Sequence, residues 1–228
     1  VAPSLSIMTP LTRFVVGVIA ALTCGCVSAR DVSGHACIVL DIRNPGLCGA
    51  MQLVGGLRVV EVASGNHTTT DDAGNFSVAI PTHATSAVLR IAEDADNRRT
   101  SLVGVPAAPA YDVLTPVVTA TLWDTYLTAL HITEDPSLAT VHVSFPYPGA
   151  VIGSIDVAGA AQVLYDQGEP FDWAPMPPGD QTIAVMALGV AVDAGTAAVK
   201  VVTRTDEVIY SADVPVEAGA ITWVAVVP

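Results

Sequence analysis

Lysine is almost missing from this chain: Lys200 is the only one, and nine basic residues face 22 acids for a formal net charge of −13. A surface so poor in cations repels phosphate, which sets nucleic-acid binding aside. It also argues against electrostatic attachment to anionic lipid. Aromatic residues are scarce at 5%, so a core has to be built from Val, Ala, Ile and Leu. Long apolar runs are missing too. The run from Phe14 to Leu22 is too short to cross a bilayer as a helix. The four cysteines show no C-x-x-C zinc spacing. Gly 18 and Pro 16 are scattered without a period, which excludes collagen.

Hydrophobic residues make up 51% of 228, too many for a disordered chain and enough for one large or two modest domains. The acidity is uneven. Residues 30–118 carry a net charge of −3, whereas 119–228 carry −11. Acidity of this kind keeps an apolar exported protein soluble.

The first 29 residues read as an export signal. Arg13, the apolar run from Phe14 and the small residues around Cys24-Gly25-Cys26 follow the charged, apolar and small-residue order of a bacterial leader. Two processing sites compete. Gly25 before Cys26 resembles a lipoprotein signal, with Cys26 lipidated; Val27-Ser28-Ala29 resembles an ordinary cleavage site that leaves Arg30 first. Lipidation at Cys26 is the preferred reading, and such a lipid would be the chain's only tie to a membrane. The expected location is the outer membrane or cell surface, otherwise the periplasm or medium.

Beyond the leader, short Val-rich runs between Gly and Pro turns predict an all-β sandwich fold. In residues 66–81, Asp71-Asp72-Ala73-Gly74-Asn75 has turn composition, and Phe76, Val78 and Ile80 alternate with polar or small residues before Pro81. The expectation is a β-hairpin with one buried face. Cys37 to Cys48 reads as strand, turn and strand, and an even pair of cysteines in an exported chain suggests a Cys37–Cys48 disulfide, two buried thiols being the alternative. Further strands are expected at 56–63, 87–92 and 113–122.

Val39-x-Asp41, Pro45, Gly49-Ala50 and then Thr70-Asp71-x-x-Gly74-x-Phe76 resemble the carboxypeptidase regulatory-like domain, a transthyretin-like or CnaB-like sandwich. The chain departs from that pattern by an insertion at 51–55. The resemblance implies a seven-stranded antiparallel Greek-key sandwich over 30–120 and no chemistry of its own.

Leu122, Trp123, Tyr126, Leu127 and Leu130 have helical spacing. Residues 121–136 are therefore expected as a linker with a short helix that Asp124 could cap. Seven further strand-like runs between Thr140 and Val227 predict a second sandwich over 137–228. Met176-Pro-Pro-Gly-Asp-Gln-Thr-Ile-Ala-Val185 is similar to an element of CnaB-like repeats, with Gln181 standing where an aromatic is usual. The whole is thus expected as two tandem antiparallel Greek-key sandwiches.

No Gly-x-Ser-x-Gly element is present, and the five histidines are dispersed. No catalytic residue, cofactor or metal is assigned. Asp71 and Asp72 suit turn capping better than calcium. The loop holding Glu169, Asp172 and Trp173 is the possible ligand site: a Trp among prolines and acids can offer a flat face to sugar. A Trp plugging the end of the sandwich is the commoner case. The favoured function is a non-catalytic structural or interaction module of the envelope, with an envelope protein or polysaccharide as partner. The alternatives are a carbohydrate-binding or adhesive protein, and an accessory subunit of a surface hydrolase.

Overall fold

The computed structural model describes residues 29–47, 52–84, 86–91, 97–106, 112–145, 151–178 and 182–226. It is an all-β chain of the sandwich class with one short helix. The N-terminal strands are β1 (Ala29–Ile38), β2 (Arg58–Glu61), β3 (His67–Thr69), β4 (Asn75–Pro81), β5 (Ser86–Ile91), β6 (Ser101–Pro106) and β7 (Val113–Val117). Helix α1 (Ala120–Ala129) follows. Then come β8 (Ala139–Ser144), β9 (Ile152–Val157), β10 (Gln162–Asp166), β11 (Trp173–Ala174), β12 (Ala184–Val190), β13 (Thr196–Thr203), β14 (Val208–Pro215) and β15 (Ile221–Ala225).

Two three-stranded sheets, β4-β1-β7 and β14-β13-β9, cover one nine-stranded sheet, β11-β10-β12-β8-β15-β6-β5-β2-β3. Between the first small sheet and the β3-to-β6 end of the large one lies a core that includes Val32, Phe76, Val78, Ile80, Leu89 and Ile91. Between the second small sheet and the other end lies a Val-rich core that includes Val141, Val143, Val185, Val199 and Val201. Period-2 alternation produced both: β4 reads exposed, buried, exposed, buried from Asn75, and β13 does the same from Thr196.

Residues 66–81 differ from the expected hairpin. Asp71 does build the turn, its Oδ1 accepting from Ala73 N at 2.9 Å and Asn75 N at 2.8 Å, with Gly74 at φ 75°. Yet β3 pairs with β2 and β4 pairs with β1, in different sheets. The turn is a corner between layers. Alternation reports which side chains face the core and not which strand lies alongside.

The expected all-antiparallel pairing also fails in three places. β1 runs parallel to β7, and β15 runs parallel to both β6 and β8. Strand β1 starts at Ala29, inside the stretch assigned to the leader, and Gly34 lies at its middle. A Cβ on Gly34 would stand 2.2 Å from the Val113 carbonyl oxygen and 2.6 Å from the Phe76 ring, so only glycine allows this approach. Strand β6, which composition did not flag, forms from Ser101 to Pro106.

The segment expected as a linker is a third core. Helix α1 is capped by Thr119, whose side chain accepts from Leu122 N at 3.2 Å; Asp124 lies within the helix and is not the cap. The strand expected to continue to 122 stops at Val117. Trp123, Tyr126 and Leu127 pack with Val39, Ile42, Met186, Trp173 and Trp223. The two outer cores are thus bound together by a shared sheet and a central apolar layer.

Candidate functional site

The polar and aromatic side chains that chemistry would use converge where the two halves meet. In the loop after β1, Arg43 donates through Nη2 to Asp41 Oδ2 at 2.6 Å and through Nη1 to the Gly168 carbonyl at 2.6 Å. Asp166 Oδ1 stands 3.9 Å from the same guanidinium. Tyr126 Oη donates to Asp41 Oδ1 at 3.2 Å. Burial would raise the Asp41 carboxyl, but the hydrogen bonds and charge of Arg43, with Tyr126, outweigh it and hold it below its usual range. Burial pushes the Asp166 carboxyl up, against the Gly168 backbone and Arg43. Burial, then the charge and hydrogen bond of Asp41, pushes the Tyr126 phenol up to about 12.

Other contacts cross the same boundary. Arg90 on β5 holds Glu217 at 2.7 Å. Arg99 pairs with Glu134, which also accepts from Trp123 Nε1 at 3.2 Å. Trp223 Nε1 donates to Ser101 Oγ at 3.2 Å. These groups hold the halves together; every Arg in them already has its carboxylate.

His142, on β8, is wholly buried between Trp223 and Trp173, at ring distances of 4.8 and 6.5 Å. Neither ring nitrogen makes a hydrogen bond of good geometry, though the Ile42 backbone lies close enough to interact with the ring. Burial pushes its pKa down to about 3, offset in part by the Ile42 backbone. A neutral, buried imidazole of this kind packs largely as an apolar ring.

Beside this core, a groove of about 590 Å³ opens between the halves. One wall is β6 and β7, through Val103, Gly104, Pro106, Leu114 and Pro116; the other includes Phe145, Ile183, Trp223 and Val224. The 43–46 loop contributes Arg43 and Pro45 to the lining. Sequence reasoning missed it, because its walls come from strands far apart in the chain.

The residues singled out from sequence are placed as follows. Trp173 is 8% exposed and belongs to the central core, so its face is not available to a sugar. Asp172 and Glu169 are exposed on the turn beside it, and the Asp172 N–H donates to the Glu169 carbonyl at 3.1 Å. Cys37 is fully buried on β1. Cys48 and Cys26 lie outside the described residues, so neither the proposed bridge nor the lipid site is described. Trp123 and Trp223 both lie in the central core. No group of three or more metal-binding side chains occurs among the described residues. No helix there is long and apolar enough to cross a membrane.

No family model matches this chain, and no curated protein matches it.

Proposed function

We propose that this chain is a non-catalytic structural or interaction module of the cell envelope, exported and held at the membrane by lipid on Cys26, with Cys37 and Cys48 bridged. It consists of two tandem Greek-key sandwiches of the transthyretin-like kind. The observation that carries the reading is the junction. The contacts of Arg43 with the Gly168 carbonyl and Asp166, the ion pairs Arg90–Glu217 and Arg99–Glu134 and the Trp223–Ser101 bond brace the region where the halves meet. A chain that commits its charged and aromatic groups to fixing two sandwiches in one orientation is built as a rigid spacer or platform. The seven strands on each side of α1, apart from the two-residue β11, support the two-sandwich reading. Trp173 no longer supports a sugar platform, because it is buried.

The test is made in the producing cell. The full chain should partition with envelope membranes, and Cys26→Ser should release it. Its intact mass should rise by two hydrogens on reduction. A photo-crosslinking residue at Met176, 73% exposed, should trap discrete envelope components. A cytosolic chain, or turnover of a glycan or ester by the purified protein alone, would overturn the reading.

A further inference from the structure

The junction groove has an edge chemistry that selects its occupant. Strands β6 and β15 are paired only from Ser101–Ile221 to Val103–Trp223. Beyond that they separate, and the groove opens beside Gly104, Pro106, Val224 and Ala225. The Ile221 N–H donates to the Thr100 carbonyl at 2.9 Å. Backbone direction alternates along a strand, so residues 102, 104 and 106 turn their amides to the same side, toward the groove. At 106 that amide is a proline and has no N–H. On β7 the Val117 carbonyl accepts from Val39 N at 2.9 Å, which turns Pro116 the other way, off β1 and toward the open edge. The β6 and β7 edges of the groove thus each carry a proline where an added strand would need a donor, which disfavours an inserted peptide strand along them.

Charge decides the rest. Arg43 is the only cationic side chain among the described lining residues. Its guanidinium is committed to Asp41, the Gly168 carbonyl and Asp166. Two carboxyl groups thus flank one cation, and an anionic headgroup would gain no free partner. The remaining described lining residues are Val, Leu, Ile, Phe, Trp, Pro, Ala and Gly with Ser144 and Asn44. A volume of about 590 Å³ is within the range, roughly 300–1,000 Å³, of small-molecule sites at boundaries between packed units.

We propose that the groove binds a neutral apolar small molecule, with hydrocarbon or aromatic surface and no anionic headgroup. This goes beyond the envelope reading and does not rest on it, since purified chain alone tests it.

The probes are a matched pair of fluorophores, N-phenyl-1-naphthylamine and its sulfonated analogue 1-anilinonaphthalene-8-sulfonate. The neutral amine should bind saturably at one site. The sulfonate should bind at least about tenfold more weakly, since its charge must be desolvated against apolar walls whose one described cation, Arg43, is already paired. Gly104→Leu is the blocking variant: a Cβ at Gly104 meets nothing within 4 Å, so the new side chain enters open groove. It should weaken amine binding by about tenfold or more and leave the thermal midpoint unchanged. Ala225→Leu, from the opposite wall at an exposed position, should do the same and serves if Gly104→Leu does not fold. Equal affinity for both probes, no saturable binding, or full binding by a folded blocked variant would overturn the proposal. So would a concentration-dependent dimer that the amine dissociates, which would assign the groove to a second copy of the chain.

Discussion

Trp223 on the last strand reaches across to β6 and donates its indole N–H to Ser101 Oγ at 3.2 Å, with Ser101 wholly buried. One hydrogen bond thus joins strands whose residues stand 122 positions apart. Trp223→Phe keeps most of the apolar ring but strands a buried hydroxyl. It should cost about 1–3 kcal/mol in denaturant unfolding. Adding Ser101→Ala removes the stranded group and should return part of that loss. Additive costs in the double-mutant cycle would show that the two residues are not coupled.

Arg43 sits between two carboxyl groups, with 14% of its side chain exposed, against 2% for Asp166. Arg43→Met should destabilise by about 2–4 kcal/mol at pH 7, because it leaves Asp166 charged and uncompensated in a buried place. Burial already raises the Asp166 carboxyl, and loss of the cation raises it further. A raised folded pKa gives stability that is present at low pH and lost as pH rises through that pKa. The deficit of Arg43→Met should therefore be smaller in acid solution than at pH 7, and Arg43→Met with Asp166→Asn should recover part of it at pH 7. Urea titrations under both conditions measure this; a deficit independent of pH would place the damage in lost packing instead.

The sequence already showed which faces are buried and where chains turn. Leu89 and Ile91 face one way and Arg90 the other, and Asp71 with Gly74 makes its turn. Alternation and turn chemistry are local, so a single strand's residues carry them. Partnership is not local. Nothing in Thr68 or Phe76 says that the chain changes sheets between them, and nothing in Ile221 says that β15 lies beside β6. Helix α1 is legible from the spacing of Trp123, Tyr126 and Leu127, although Thr121, Thr125 and Thr128 are poor helix formers. Burial of its aromatic face in the central core overrides that propensity. The groove was illegible for the same reason as the β6–β15 pairing that creates it.

Two glycines separate close packing from open space. A Cβ on Gly34 would lie 2.2 Å from the Val113 carbonyl oxygen, a backbone atom that cannot rotate away, whereas one on Gly104 meets nothing within 4 Å. Gly34→Ala must push β1 off β7 and should cost more than about 2 kcal/mol. Gly104→Ala should change stability by no more than about 0.5 kcal/mol. Thermal and urea unfolding of both variants checks the contrast, and equal effects would mean that β1 and β7 are not in the close register Gly34–Val113.

His142 should make the fold acid-sensitive well above the range where carboxylates titrate. Folded, its pKa is pushed from 6.5 down to about 3 by burial. Below pH ~6.5 the unfolded chain takes up a proton that the folded chain refuses, so stability falls as pH drops toward about 3. The slope from this one group approaches about 1.4 kcal/mol per pH unit. Asp41 and Glu61 are held low and begin to lose their contribution only as pH falls toward their ordinary values of 3.8 and 4.5, so the upper part of the acid limb, from about pH 6.5 to 5, is free of them. His142→Leu removes the titration and two buried, poorly satisfied nitrogens while keeping an apolar group between Trp173 and Trp223. It should match the parent within about 1 kcal/mol at pH 7 and be the more stable of the two at pH 4.5. Guanidinium unfolding at pH 7, 6 and 4.5 gives the slopes. Parallel slopes for parent and variant would mean that the imidazole takes up its proton in the folded chain, and that the central core is open enough to solvate it.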